Sequence, residues 1–582
     1  MAMTDTRFLR SRYLIEKTEV ASHGGVVVAQ HPLAAEAGAR ILAAGGNAID
    51  AAVAAAAAIT VVEPAMSSLA GGGAMLIHLA ERRQNVAIEF LPRVPARARP
   101  DMYRVRGDGA SGGMFGWPLV EGHANIVGAL SVAVPGSMAG LTMALERHGT
   151  LPLTRLFEPA IELAEEGFIP DWYLSTMVAG GARQMREFPE TTDVFLPEGL
   201  PPAPSLRAYL ATTRFRQPQL AATLRRLGAG GVEEFSCGEV GRALVRTMER
   251  MGGAITAQDL QDYRAHYHAQ TAEIRYRGLT LHTLPGANGG TTAFEALNIL
   301  EQFDIGSCRF MGADHLHLMA CAQRAAFLDR FAHMADPARV AVPLQGLLSK
   351  DFALERARSI ALDRAGPLTA GDPWPYQRAD QPQEGRQRGA LRDAGCTTHL
   401  CVSDAAGNMV TLTNTLGDLW GSYTMAEGTG MLLNDGMIWF NPVPGHINSV
   451  EPGKAPLSNL TAVLGCREGH AVFAIGAPGG RKVTTSVLQS IVNFVDHKCS
   501  LQEAVSAPRL HCEGPKLQID SRVEPDVLDE LARRGHAMEI LEESFVNANF
   551  ARPVGIAVDP QTGAHRSGVD ALRMAAAVGL AD

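Results

Sequence analysis

The chain has 582 residues, 46% of them hydrophobic and 19% charged, with a formal net charge of −9. This balance excludes a disordered chain, which lacks the apolar residues for a core, and a general nucleic-acid binder, which carries a basic stripe. Eight cysteines (237, 308, 321, 396, 401, 466, 499 and 512) form no CxxC pair and read as buried or free thiols of a reducing compartment.

The N-terminus, Met1 to Arg10, is charged with no apolar segment behind it, so no signal peptide is expected. Gly25 to Gln30 reads as a short apolar strand. Ala34 to Ala44 reads as a helix stopped by Gly45-Gly46-Asn47, where glycine suits a C-terminal cap. Ala48 to Val61 is a second, Ala-rich helix, and its apolar run is too short to span a bilayer. A soluble, cytoplasmic protein with no membrane partner is expected. Gly71-Gly72-Gly73 precedes a strand at Ala74 to Leu79. It lacks the spacing of dinucleotide and phosphate loops, so its glycines are read as allowing close backbone packing. Gly109-Ala110-Ser111-Gly112-Gly113 fits the G-x-S-x-G pattern. Polar residues precede it and no helix follows, so it is read as a loop. From 138 to 370 the pattern is mostly amphipathic helix, as in Leu156 to Glu166 and His315 to Ala332. His266 with His268, and His315 with His317, have i,i+2 spacing. No nearby carboxylate or cysteine pattern completes a metal shell, so neither a catalytic metal nor a cofactor is expected.

A polar connector at about 370–396 suits an exposed, accessible backbone, above all from Pro373 to Arg386. Beyond it strands dominate, at 397–402, 408–415, 431–434, 461–465 and 471–475, with helices at 483–496 and 524–535. Strands on both sides of the connector predict mixed sheets covered by helices in one combined domain.

Cys396-Thr397-Thr398-His399 places two threonines where a loop becomes a strand. A threonine hydroxyl needs a base beside it to act as a nucleophile. If the chain breaks before Thr397, the new α-amine supplies that base from the same residue. Threonine is also common in strands for packing reasons, so an ordinary hairpin is the competing reading. Gly476-Ala477-Pro478-Gly479-Gly480-Arg481-Lys482 lies between a strand and a helix. Its glycines allow backbone N–H groups to converge as in an oxyanion hole, and a plain strand–helix turn is the alternative.

A set of segments taken in order carries more weight than any one of them. They are Gly45-Gly46-Asn47-Ala48-Ile49-Asp50-Ala51-Ala52, Ser68 to Gly73, Val132 to Gly136, Asn298 to Glu301, Asp329-Arg330, Asp336-Pro337, Thr397-Thr398-His399, Pro456-Leu457-Ser458 and Pro478-Gly479-Gly480. With them the chain resembles the γ-glutamyltransferase family of self-processing N-terminal-nucleophile hydrolases, from about Gly24 to Asp570. The resemblance implies an α/β fold, a four-layer αββα sandwich. It also implies cleavage into a large piece, 1–396, and a small piece, 397–582, held as a heterodimer or higher oligomer. It further implies a small-molecule amide substrate, water or an amine as acceptor, and no nucleic-acid partner. Thr397 would be the nucleophile freed by cleavage after Cys396, with cleavage before Cys396 as the alternative. Thr415 would hydrogen-bond the nucleophile, and Gly479 and Gly480 would form the oxyanion hole. Ser458 matches the first serine of a substrate-binding pair, while Asn459 replaces the second.

The departures from the family fall in the acyl pocket. Leu91 stands where the family's carboxylate-gripping arginine is found, with Arg93 or Arg97 as shifted substitutes. Gly436 and Trp439 replace the glutamine and aspartate that hold the amino group, and Gly417 replaces an asparagine. The lid between Phe440 and Pro456 is short. Burying either charge of an amino-acid head group without a partner costs several kcal/mol, and an aromatic wall favours a flatter or more apolar acyl group. An amidohydrolase of altered acyl specificity is expected, similar to the cephalosporin (dicarboxylyl) acylases or a small-amide hydrolase. A true glutathione hydrolase/transpeptidase and a catalytically inactive binding relative are the alternatives.

Overall fold

The computed structural model describes residues 15–107, 109, 111–112, 117–205, 213–377, 396–545 and 547–581. Two seven-stranded antiparallel sheets lie face to face. The first runs Ala576–Gly579, Gly25–Ala29, Cys396–Asp404, Met409–Gly417, Gly72–Leu79, Gln84–Phe90, His266–His268. The second runs Ala21–Ser22, His565–Val569, Val554–Val558, His470–Gly476, Val463–Arg467, Leu279–Thr283, Ala272–Tyr276. Each sheet mixes strands from before and after residue 397.

Side-chain alternation along the strands builds the layers. In Gly25–Ala29, Val27 and Ala29 join a core with the helices Pro32–Ala43 and Ala48–Val62, while Val26 and Val28 face the second sheet. Leu464, Ala474, Val554 and Ile556 answer them from the second sheet. On its other face that sheet presents Leu281, Val463, Phe473 and Ile475 to helices Gly289–Leu300, Ala313–His333 and Lys482–Val495. The order is helix, sheet, sheet, helix, the four-layer αββα sandwich.

Helix Ala48–Val62 is buried at every position, which explains its nearly continuous alanine. Its start is a capping box: the Asn47 side chain accepts the N–H groups of Ile49 and Asp50, and Asp50 Oδ2 accepts the Asn47 N–H at 3.0 Å. The glycine run does bring backbones close. A Cβ on Gly71 would lie 2.3 Å from the Thr415 carbonyl oxygen, and one on Gly73 would lie 2.0 Å from that of Thr413.

The stretch from 138 to 370 is less helical than its pattern predicts. It contains the strands His266–His268, Ala272–Tyr276 and Leu279–Thr283, which supply edges to both sheets. Ile274 and Tyr276 are buried between exposed Glu273 and Arg275, a period-two signal hidden by the short element. The strand expected at 431–434 shrinks to Met431–Leu432, paired with Met425–Ala426. Asn434 leaves the strand to pin neighbouring loops, donating to Ala70 O and Ala133 O, both at 2.9 Å. Ser111–Gly112 form a two-residue ribbon with Trp117–Pro118, while Ala110 and Gly113 lie outside the described residues. Of the polar connector, 378–395 lies outside them too. Among the described residues no helix is long and apolar enough to cross a membrane.

Candidate active site

The strand Cys396–Asp404 sits third in the first sheet, beside its hairpin partner Met409–Gly417. Thr398, Leu400 and Val402 point to the helical layer, since Thr398 reaches Glu63 and the other two join the helix-facing core. Thr397, His399 and Cys401 therefore face the second sheet. The register shifts where it matters. Cys396 pairs with Gly417 and Thr398 with Asn414, so two steps on one strand oppose three on the other. This bulge brings the Thr415 hydroxyl to Thr397, whose Oγ1 donates to Thr415 Oγ1 at 3.3 Å. Thr415 Oγ1 also accepts the Gly417 N–H at 2.9 Å. Thr397 is 7% exposed, nearly dry but not sealed.

His399 is no base for this hydroxyl. Its Nδ1 meets Thr413 Oγ1 at 2.8 Å and its Nε2 meets Thr411 Oγ1 at 2.9 Å. Burial pushes its pKa down to about 3, so the ring stays neutral. Burial likewise pushes the Cys401 thiol up to about 12, which leaves it inert. Cys396 is described by its backbone alone.

The turn from Gly476 to Gly480 leaves the second sheet over the same face. A Cβ on Gly476 would lie 2.2 Å from His399 Cε1, so the turn begins against the residue two positions after Thr397. Gly479 has φ +132° and Gly480 φ +62°, both in the left-handed region that favours glycine. A Cβ on Gly479 would meet Ala551 Cα at 2.6 Å. The turn is held from two sides. Pro478 O accepts the Arg552 N–H at 3.1 Å, and the buried Arg481 guanidinium makes a two-pronged pair with Glu513, both contacts at 2.8 Å.

Glu63, which the sequence reading did not single out, supports the other side of the Thr397 strand. It caps the C-terminus of helix Ala48–Val62 and accepts the Thr398 hydroxyl at 2.7 Å. Burial pushes its pKa up to about 7, while the Thr398 hydrogen bond and the charge of Arg552 hold it down. The signal was present in Val62-Glu63-Pro64: an acid at the negative end of an apolar helix needs a specific partner.

The candidate acyl-pocket residues separate in space. A cavity of about 360 Å³ is lined by Leu91, Arg93 and Ser458, with Glu89, His266 and Asp336. Thr397, Thr415, Gly479 and Gly480 are not among the residues lining it; Pro92, between Leu91 and Arg93, approaches the hairpin, since a Cβ on Gly72, the residue paired with Thr415, would meet its Cδ at 2.3 Å. Arg93 is already engaged, its Nη2 donating to Glu89 Oε1 at 3.0 Å. Arg97 is exposed. Ser458 Oγ accepts the Leu460 N–H at 3.1 Å. Asn459 is not among the residues lining the cavity, and its Oδ1 accepts from the buried Arg330 at 3.0 Å. Arg330 also donates to Ser458 O at 2.8 Å, fixing the turn. Trp439 is not among the residues lining this cavity. It packs with Val94, Tyr103, Trp117 and Phe440. Gly436 is needed sterically, since a Cβ there would lie 2.8 Å from Ala133 Cβ and 2.9 Å from Asn434 Oδ1.

Gly417 has a similar explanation. A Cβ there would lie 2.1 Å from Asp435 Oδ1, which accepts the Asp418 N–H at 2.8 Å. The Asp435 carboxyl fills the space that a side chain at 417 would take. Burial first, and then the neighbouring Asp418, raises its pKa well above the usual carboxylate range.

Comparison with known proteins agrees with this geometry. Residues 34–578 match the family described as gamma-glutamyltranspeptidase. The chain is 39% identical over 525 residues to the acylase ACY 1 proenzyme of Pseudomonas sp. (strain V22), covering 90% of this chain and 89% of the relative. It is 32% identical over 559 residues to the glutathione hydrolase proenzyme of Bacillus subtilis (strain 168), covering 96% and 91%. The crystal structure of cephalosporin acylase from Bacillus halodurans superposes with a TM-score of 0.85 at 26% identity, covering 100% of both chains. The chain is therefore an enzyme of the γ-glutamyltranspeptidase family, with the αββα sandwich of the N-terminal-nucleophile hydrolases.

Proposed function

We propose that the chain cleaves itself between Cys396 and Thr397 and then hydrolyses or transfers the acyl group of an amide through a Thr397 ester. The observation that carries this reading is the Thr397–Thr415 hydroxyl pair at 3.3 Å on the inner sheet face, beside the Gly476–Gly480 turn.

In processing, Thr397 Oγ1 attacks the Cys396 carbonyl carbon and the C–N bond breaks, giving an ester and a free amine. Water hydrolyses the ester, leaving 1–396 with a new carboxylate and 397–582 with Thr397 at its head. Interleaved strands in both sheets keep the two pieces together as a heterodimer. An α-amine has a pKa of roughly 7.7–8.0, so near neutral pH a useful fraction accepts the Thr397 hydroxyl proton. Oγ1 then attacks the substrate carbonyl while Gly479 and Gly480 N–H groups face the oxyanion. The ammonium returns its proton to the leaving amine, and water or an acceptor amine releases the acyl group.

The acyl group we favour is not γ-glutamyl. Leu91 supplies no charge, and Arg93 reaches the cavity already neutralised by Glu89. An apolar acyl chain suits such a wall better than a zwitterionic head group. The two Pseudomonas acylase and Bacillus halodurans acylase matches lend this reading support, whereas the Bacillus subtilis match supports glutathione hydrolysis. Hydrolysis rates for γ-glutamyl, glutaryl and small acyl anilides separate the two; fastest turnover of the γ-glutamyl compound would remove our preference. A denaturing gel tests processing, with two bands expected from the wild type and one from Thr397→Ala. A cytoplasmic location fits the free state of the seven cysteines whose side chains are described.

A further inference from the structure

On the far side of the molecule from the threonine hairpin's sheet, three soft ligands converge. His317 and Cys321 lie one turn apart on helix Ala313–His333, hence on one face. His536 comes from the turn between helix Pro525–Arg533 and strand Ala537–Leu541. One ligand atom from each residue lies within 4.8 Å of the other two. His317 is wholly buried, Cys321 is buried, and half-buried His536 leaves a way in.

The hydrogen bonds set the tautomer. His317 Nε2 lies 2.7 Å from Ala361 O, which can only accept, so Nε2 carries the hydrogen. Nδ1 then accepts the His536 Nε2–H at 2.8 Å, and Cys321 Sγ lies 3.8 Å from His317 Nε2; a cation entering the cluster replaces the bond between the two imidazoles as His536 moves its hydrogen to Nδ1. A ligating histidine usually has its second N–H donated to a backbone carbonyl in this way. The guanidiniums of Arg324 and Arg534 also lie near the His536 ring. Arg534 is itself compensated, pairing with Asp314 at 2.6 Å and Glu530 at 2.8 Å. Asp314 and Asp363 add negative charge around His317.

We propose that His317, Cys321 and His536 bind a thiophilic divalent cation of the Zn²⁺ class and so tie the helix Ala313–His333 to the C-terminal layer. Two imidazoles and a thiolate suit zinc and its neighbours rather than the oxygen-seeking Mg²⁺ or Ca²⁺, with water completing a tetrahedron. Binding as the thiolate expels the Cys321 proton to solvent, so affinity strengthens as pH rises. Two of the ligands precede Thr397 and one follows it. If the chain is cut there, as proposed above, the ion bridges the two pieces; binding itself does not depend on the cut.

The test begins with the full-length wild type and its Thr397→Ala variant, stripped with a chelator and titrated with Co²⁺. One equivalent with a thiolate-to-cobalt charge-transfer band is expected in both. Cys321→Ser, which is nearly isosteric, should abolish the band, and His536→Gln should weaken binding at least about 100-fold. Native-like melting of both variants without metal keeps the comparison valid. No band in the wild type, or a band unchanged in Cys321→Ser, overturns the site. The bridging role is read separately: chelation should lower the melting temperature of the processed pair more than that of uncut Thr397→Ala. Equal decreases overturn the bridge and leave the metal site standing.

Discussion

Replacing Glu63 by glutamine isolates the buried carboxyl behind the Thr397 strand. Glu63 is 5% exposed, and burial raises its pKa from 4.5 to about 7. A folded-state pKa above the unfolded one means that its contribution to stability is fully present below pH 4.5 and is lost as pH rises through about 7. That interval, at about 1.4 kcal/mol per pH unit, amounts to about 3 kcal/mol. With a melting entropy of about 2.1 cal/mol/K per residue, the whole chain gains about 1.2 kcal/mol/K, so the effect is a shift of about 3 °C. Glutamine keeps an acceptor for Thr398 and never ionises. The attraction to Arg552 acts only on the ionised form and is already contained in the pKa of about 7, so at low pH the variant differs only by a constant offset from the amide's own contacts. The readout is therefore the slope of melting temperature against pH at constant ionic strength. Between pH 4.5 and 8 the wild type should lose about 3 °C relative to Glu63→Gln. Parallel curves for the two proteins would refute the reasoning.

Gly479→Ala should lower kcat by about 10²- to 10³-fold if the turn supplies oxyanion donors as proposed, because a Cβ 2.6 Å from Ala551 Cα forces the turn to move. Steady-state turnover of processed enzyme, compared with wild type, checks it. Thr415→Val removes the acceptor of both the Thr397 hydroxyl and the Gly417 N–H; the penalty of about 1–3 kcal/mol should slow processing roughly 5- to 150-fold on a time-resolved denaturing gel. Glu89→Gln frees the Arg93 guanidinium inside the cavity, and KM for acyl donors ending in a carboxylate should fall roughly tenfold, with uncharged donors unaffected.

Much of the architecture was legible because it is written in short-range periodicity. The helix at Ala48–Val62, the hairpin around Thr397 and the turn before Lys482–Val495 each announce themselves within about twenty residues. Ala272–Tyr276 and Leu279–Thr283 were not recognised, since five-residue strands at the edge of a sheet carry little pattern and lie within a helical neighbourhood. The acyl pocket was legible only as a list of substitutions. Leu91, Arg93 and Ser458 do line one cavity, while Trp439 and Asn459 belong to other contacts, and no local rule says which way those side chains turn.

By itself the sequence determined the alternation that puts Thr397 and His399 on one face, the capping box that starts helix Ala48–Val62, and the glycines that let the Gly476–Gly480 turn form. Those depend on backbone conformation and neighbours in the chain. Only the tertiary structure decided that Glu63 would meet Thr398 across 335 residues, and that Asp435 would occupy the space beside Gly417. It likewise decided that His536 would reach His317 across 219 residues. Such contacts arise when layers stack, and their energies come from burial and charge pairing between segments whose separation along the chain carries no information about their distance in space.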